Sequence, residues 1–222
     1  MAKVFLSAGH GGSDPGAVAY GMKEKDINLN IMLACNDVLV KHGVITILSR
    51  TKDEDDSVSQ EVKEANNSCA EIAVSFHTNA GGGDGSESLC HSSSVSGKKL
   101  ASLCEKHVKT IGQNSRGVKE RDDLYFLRGT RMTAVLCECG FIDNDKDNDI
   151  IDTVNEQKKF GVAYAKAILE YLGIPYKDTS NTASETKTYT VQVGSYKSKT
   201  NADVMLEKVK KAGFSDAYIK TV

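Results

Sequence analysis

VFLSAGHGG, residues 4–12, reads as a short apolar strand of the buried type opening into a glycine-rich loop that carries His10. The pattern downstream of that loop decides the fold. EKDINLNIMLACNDVLVKHG (24–43) sets Ile27, Ile31, Ala34 and Val38 at helical spacing and stops at Gly43. VITIL (44–48) is a second strand, and Val58, Val62, Ala65 and Cys69 mark a second helix. IAVSFH (72–77) is a third strand, followed by the loop TNAGGGDGSES (78–88). Leu100, Leu103, His107 and Ile111 fit a third helix closed by Gly112, and LYFL (124–127) and TAVLCE (133–138) read as two further strands. Phe160, Tyr164, Ala167, Ile168 and Tyr171 mark a last long helix ended by Gly173 and Pro175. Strands alternating with helices predict an α/β fold: a mostly parallel twisted sheet with helices on both faces.

At 222 residues the chain can bury one core of ordinary size with a small module left over. Residues 176–187, YKDTSNTASETK, have the composition of a linker, so domains are expected at 1–175 and 188–222. The last segment reads strand, helix, strand (TYTVQVGSY, NADVMLEKVKKAG, FSDAYIKTV) and is too short to bury a core alone. From Lys187 onward seven lysines face three acids, so a tail of +4 sits on a body of −6 within a formal net charge of −2. That balance argues against nucleic-acid binding. No apolar run is long enough to span a membrane, and the N-terminus lacks the pattern of a signal peptide. Six cysteines scattered through elements of a mid-sized chain are expected to be reduced thiols.

The titratable residues fall at strand ends. His10 follows the first strand, His77 ends the third, and Glu138 ends TAVLCE, while Glu24 stands at the start of the first helix. In open parallel sheets, loops converge outside the carboxyl ends of the strands, so these residues are candidate neighbours. Two imidazoles and one carboxylate with water in the fourth position form a hydrolytic zinc site, and a second, unligated carboxylate can take a proton from that water. Spacing alone reaches a candidate catalytic metal site and does not say which carboxylate does which.

Five stretches in order, SAGHGGSDPGAV (7–18), GMKEKDINLN (21–30), VSFHTNA (74–80), DGSES (84–88) and VLCECGFIDN (135–144), resemble the motifs of the zinc-dependent N-acetylmuramoyl-L-alanine amidases across residues 1–173. The resemblance implies one zinc per chain on His10, Glu24 and His77, with Glu138 as the catalytic glutamate. It also implies hydrolysis of the amide between N-acetylmuramic acid and L-alanine in peptidoglycan. In an extended strand Cys137 and Cys139 point away from Glu138, so they read as packing residues. Asn79 and Ser75 flank His77 as candidate orienting or substrate-contact groups, and Glu87 matches a position that is acidic in the family. Arg121, Arg128 and Arg131 could meet substrate carboxylates or simply be solvated. His42, before Gly43, reads as a helix-end cation, and neither His91 nor His107 has a supporting motif.

The tail resembles one half of a sporulation-related (SPOR) peptidoglycan-binding repeat. This implies a wall-binding segment and, because the half is incomplete, a homodimer through residues 188–222. The expected route is synthesis in the cytoplasm and action on the wall after release by holin or mother-cell lysis. The competing readings are a zinc peptidase or deacetylase acting elsewhere on peptidoglycan, and a wall-binding protein without turnover.

Overall fold

The computed structural model describes residues 1–178, 194–214 and 217–219. Its contacts divide the chain into two units, Met1–Thr179 and Ser180–Val222.

The first unit is built on six strands: β1 (Lys3–Ala8), β4 (Ile45–Leu48), β5 (Ile72–Asn79), β6 (Ser86–Cys90), β7 (Ser115–Glu120) and β8 (Thr133–Phe141), in the order β4-β1-β5-β8-β6-β7. β4, β1, β5 and β8 are mutually parallel; β6 runs antiparallel to β8, and β7 is parallel to β6. A two-stranded hairpin, β2 (Val18–Ala19) with β3 (Met22–Lys23), precedes helix α1 (Glu24–Lys41).

Side-chain alternation divides the core into two layers. Val4, Leu6, Ala8, Val74, Phe76, Val135, Cys137 and Cys139 belong to one cluster, packed with α1, α3 (Val95–Val108) and α6 (Val154–Tyr171). Phe5, Ala73, Ala134 and Leu136 face the other way, against α2 (Val58–Asn67) and α4 (Tyr125–Gly129). The expected fold class, a mostly parallel sheet with helices on both faces, holds.

Two local readings change, and one helix that the sequence reading did not place is added. LYFL is not a strand: Tyr125–Gly129 is the short helix α4, in which the Leu127 and Arg128 amides turn back to the Leu124 carbonyl at 3.1 Å and Phe126 and Leu127 are both buried. The loop 78–88 ends early, since Ser86 and Glu87 already belong to β6. Ser86 and Ser88 are buried because their hydroxyls donate to Glu105 of α3 at 3.0 and 2.7 Å, and Ser115 Oγ donates to the same carboxylate. Finally, α5 (Asp145–Ile151) follows β8, capped by Asn144 Oδ1 on the Lys146 and Asp147 amides.

In the second unit, α7 (Lys199–Lys211) overlaps the helix read from the sequence at 201–213, starting and ending two residues earlier. The first tail strand lies largely outside the described residues; Gly194–Tyr196 and Ala217–Ile219 are not in regular structure. Most of the expected linker, 176–187, also lies outside them. Among the described residues no helix is long and apolar enough to cross a membrane.

Candidate active site

Glu24 is the first residue of α1, where an acid suits the helix dipole. Its Oε2 accepts the Ala17 amide at 2.9 Å, and its Oε1 accepts the Thr78 amide at 3.1 Å. Fixed in this way, Oε1 stands 3.3 Å from His10 Nε2 and 3.1 Å from His77 Nδ1. His10 adopts a left-handed backbone (φ 65°) in the glycine-rich loop, and its far nitrogen Nδ1 meets Asp14 Oδ2 at 2.8 Å. The two imidazole rings are 5.3 Å apart and nearly perpendicular.

Two glycines make this convergence feasible. A Cβ on Gly9 would lie 2.1 Å from His77 Cε1, and one on Gly16 (φ 64°) would lie 2.6 Å from Glu24 Oε2. Asn28, on the next turn of α1, donates to the Gly9 carbonyl at 3.0 Å and accepts from Thr78 Oγ1 at 3.0 Å. The loop 50–56 closes the other side: Asp53 accepts from the Gly12 amide and Lys25 Nζ, and Asp55 accepts from the Ser13 amide and hydroxyl.

These contacts set the charges. The Glu24 hydrogen bond raises the His10 pKa to about 9 against a smaller effect of burial. Burial would raise Glu24, but His10 and His77 outweigh it and hold the carboxyl well below the usual range. Burial would lower His77, yet Glu24 and the charge of Glu138 leave it raised. The three side chains therefore form a compact ionic set in which a metal cation can replace the protons.

Glu138 sits directly beside His77 in the β5–β8 register. Burial raises its carboxyl to about 7, opposed by His77 and reinforced by Glu24 and Glu87. Its Oε2 is buried without a hydrogen-bond partner among the described residues. Cys137 and Cys139 lie on the opposite face, fully buried in the other cluster. Asn79 Nδ2 donates to Glu87 Oε1 at 3.2 Å, and Glu87 pairs with Glu138 across β6 and β8. Ser75 is buried beneath His77, with its hydroxyl unpaired among the described residues.

The other tempting residues are occupied elsewhere. Both forks of Arg121 go to Asp123, at 2.7 Å each. Arg128 stacks on Tyr125, and Arg131 precedes the start of β8, at the far end of that strand from Glu138. His42 caps α1, donating to the Val38 carbonyl at 2.7 Å and accepting the Lys177 amide at 3.0 Å. His91 pairs with Ser93, and His107 with Glu170. The sequence reading missed Arg116, which donates to Glu87 at 2.9 Å; its polar surroundings and the unrecognised strand β7 hid it.

Residues 4–170 match the family of N-acetylmuramoyl-L-alanine amidases. The chain belongs to that family. The amidase is similar to the sporulation-specific N-acetylmuramoyl-L-alanine amidase of Bacillus subtilis, 33% identical over 96% of this chain and 83% of the relative. It is similar to the endolysin of Bacillus phage SPP1, 33% identical over 98% of this chain and 83% of that protein. Its fold matches the catalytic domain of the amidase CwlV from Bacillus (Paenibacillus) polymyxa var. colistinus with a TM-score of 0.74, at 30% identity, over 79% of this chain and all of that one. Residues 165–222 match the SPOR domain. That match begins inside α6, whose Ala165, Ala167, Ile168 and Leu169 are fully buried in the amidase core. Members of this family are typically zinc-dependent, and the donor set His10, Glu24 and His77 suits that ion.

Proposed function

We propose that this amidase works with one zinc per chain, held by His10, Glu24 and His77, and that Glu138 is its general base and acid. The observation that carries the reading is the convergence of one donor atom from each of the three residues within 4.8 Å. Donors about 2.0–2.1 Å from a tetrahedral ion stand roughly 3.3 Å apart, close to the 3.3 and 3.1 Å spacings from Glu24. The unpaired, buried Oε2 of Glu138 supports its role. When bound, zinc supplies an acidified water and a Lewis acid for the scissile carbonyl.

Glu138 then accepts the proton of the attacking water on its free oxygen and passes it to the departing alanine nitrogen. Burial, which raises the Glu138 carboxyl, favours its taking up a proton. His10 is oriented by Asp14 and Glu24 by the Ala17 and Thr78 amides, so neither has to reorganise as charge develops. The substrate is the amide between the lactyl group of N-acetylmuramic acid and L-alanine. The test is metal analysis alongside wall hydrolysis, before and after chelation and zinc return. One zinc per chain, reversible loss of activity and new alanine N-termini are expected; lysis that survives complete metal removal overturns the reading.

We further propose that the enzyme meets the wall after release from the cell, by holin or by mother-cell lysis, as the kinship with an endolysin and a sporulation-specific amidase suggests. The tail 188–222, after a linker at 176–187, would bind the wall and pair with a second tail. None of the residues of α7 is buried, and Val204 and Phe214 are 53% and 63% exposed, apolar surface that a second copy would cover. A mass by light scattering that stays monomeric at micromolar concentration would remove the dimer.

A further inference from the structure

Arg116 stands at the edge of the site. Its Nε donates to Glu87 Oε2 at 2.9 Å, and its guanidinium lies 5.1 Å from the ring centre of Phe141, packed over the face. Among the described residues its two terminal Nη groups have no protein partner, and the side chain is 40% exposed. Glu87, fixed on its other oxygen by Asn79, holds the guanidinium in place beside the β6–β8 pair of Glu87 and Glu138. A ring below, a carboxylate behind and a free fork in front are the elements of a carboxylate-binding site.

Resting on the amidase reading above, we infer that Arg116 recognises the carboxylate of the second residue of the stem peptide. Glu138 protonates the leaving alanine nitrogen, so the peptide departs on the Glu138 side of the scissile bond. Glu87 lies one strand spacing, about 4.7–4.9 Å, from Glu138. From the alanine nitrogen to the α-carboxyl of the next residue is nearly two residues of extended chain, about 6.6–7.2 Å, enough to pass Glu87 and meet the guanidinium held on it. In peptidoglycan that residue is a side-chain-linked glutamate whose α-carboxyl is free in some walls and amidated in others. A guanidinium fork distinguishes the two, because an amide presents a single acceptor and no charge. Glu87 acts as a positioning residue, holding Arg116 and keeping it from folding onto Glu138.

The test compares two soluble muramoyl peptides, identical except for a free or an amidated α-carboxyl on the second residue, with the zinc-loaded full chain. The wild type is expected to favour the free carboxylate in kcat/KM by about tenfold or more, mostly through KM. Arg116→Gln brings the two substrates together, and Arg116→Lys, which keeps charge without the fork, falls between. Zinc content and melting temperature measured on each variant separate a lost contact from a lost fold. An Arg116→Gln enzyme that retains the wild-type preference overturns the inference while leaving the amidase reading intact. A wild type that cuts neither substrate overturns both.

Discussion

His77 and Glu138 are direct register partners on the parallel strands β5 and β8, and their side chains leave the sheet on the same face. Glu138 takes its unpaired oxygen from that position and His77 its contact with Glu24. The proposed metal donor and the proposed proton carrier are therefore set by one ladder of backbone hydrogen bonds.

Glu138→Gln keeps the shape of the side chain and removes its basicity. Turnover is expected to fall by roughly 10²–10⁴, the usual worth of a positioned general base, with zinc still bound at one per chain. Metal analysis and an assay for new alanine N-termini on the same preparation check it; a fully active variant would remove Glu138 from the mechanism.

Gly9→Ala tests the packing behind the proposed metal site. The added methyl would stand 2.1 Å from His77 Cε1, so the ring or the backbone must shift from its present position. The expected result is a folded chain with zinc affinity weakened on the order of 10–100-fold, read by competition with a chromogenic chelator.

Glu61 gives a pH-dependent prediction. It is 3% exposed on α2, and burial raises its pKa, with the charge of Asp56 adding to the shift. The fold favours the neutral acid, so stability is highest below the unfolded value of about 4.3 and declines as pH rises through the elevated folded value. Glu61→Gln should match the wild type at pH 4 and melt higher at pH 8, by ~2–4 °C for each kcal/mol recovered. Equal melting temperatures at pH 8 would show that the carboxylate is solvated in the fold.

Glu105 receives three buried or half-buried hydroxyls, from Ser86, Ser88 and Ser115. Glu105→Leu leaves Ser115 without this acceptor and Ser86 and Ser88 with only the Asn114 carbonyl at 3.3 Å and Cys137 Sγ at 3.7 Å, at about 1–3 kcal/mol for each buried group left poorly paired. Chemical denaturation should show a loss of about 3 kcal/mol or more, centred on the β6–β7 edge by hydrogen exchange.

The central strands were legible because their alternation is apolar on both faces: Val4 and Leu6 against Phe5, Ile72 and Val74 against Ala73. His10, His77 and Glu138 stood out at the ends of those runs, and Glu24 at a helix start. β6 and β7 were not legible because their stability comes from partners remote in sequence. SESLC buries serines only because Glu105 waits on α3, and SRGVKE is a polar edge. α4 was misread because a four-residue apolar run carries no period, and the helix shows only in the backbone, where the Arg128 amide donates to the Leu124 carbonyl. Arg116 depends on β7: without that strand nothing brings residue 116 near residue 87.

Cys137 and Cys139 lie one step either side of Glu138, and only the pleat keeps them from the donor set. A slip of β8 by a single residue would carry a thiol into the position of the carboxylate. Soft sulfur holds zinc tightly and closes the coordination that hydrolysis needs open. If the proposed site holds zinc, the long parallel pairing of β5 with β8 both presents Glu138 to it and keeps the two neighbouring thiols turned into the core.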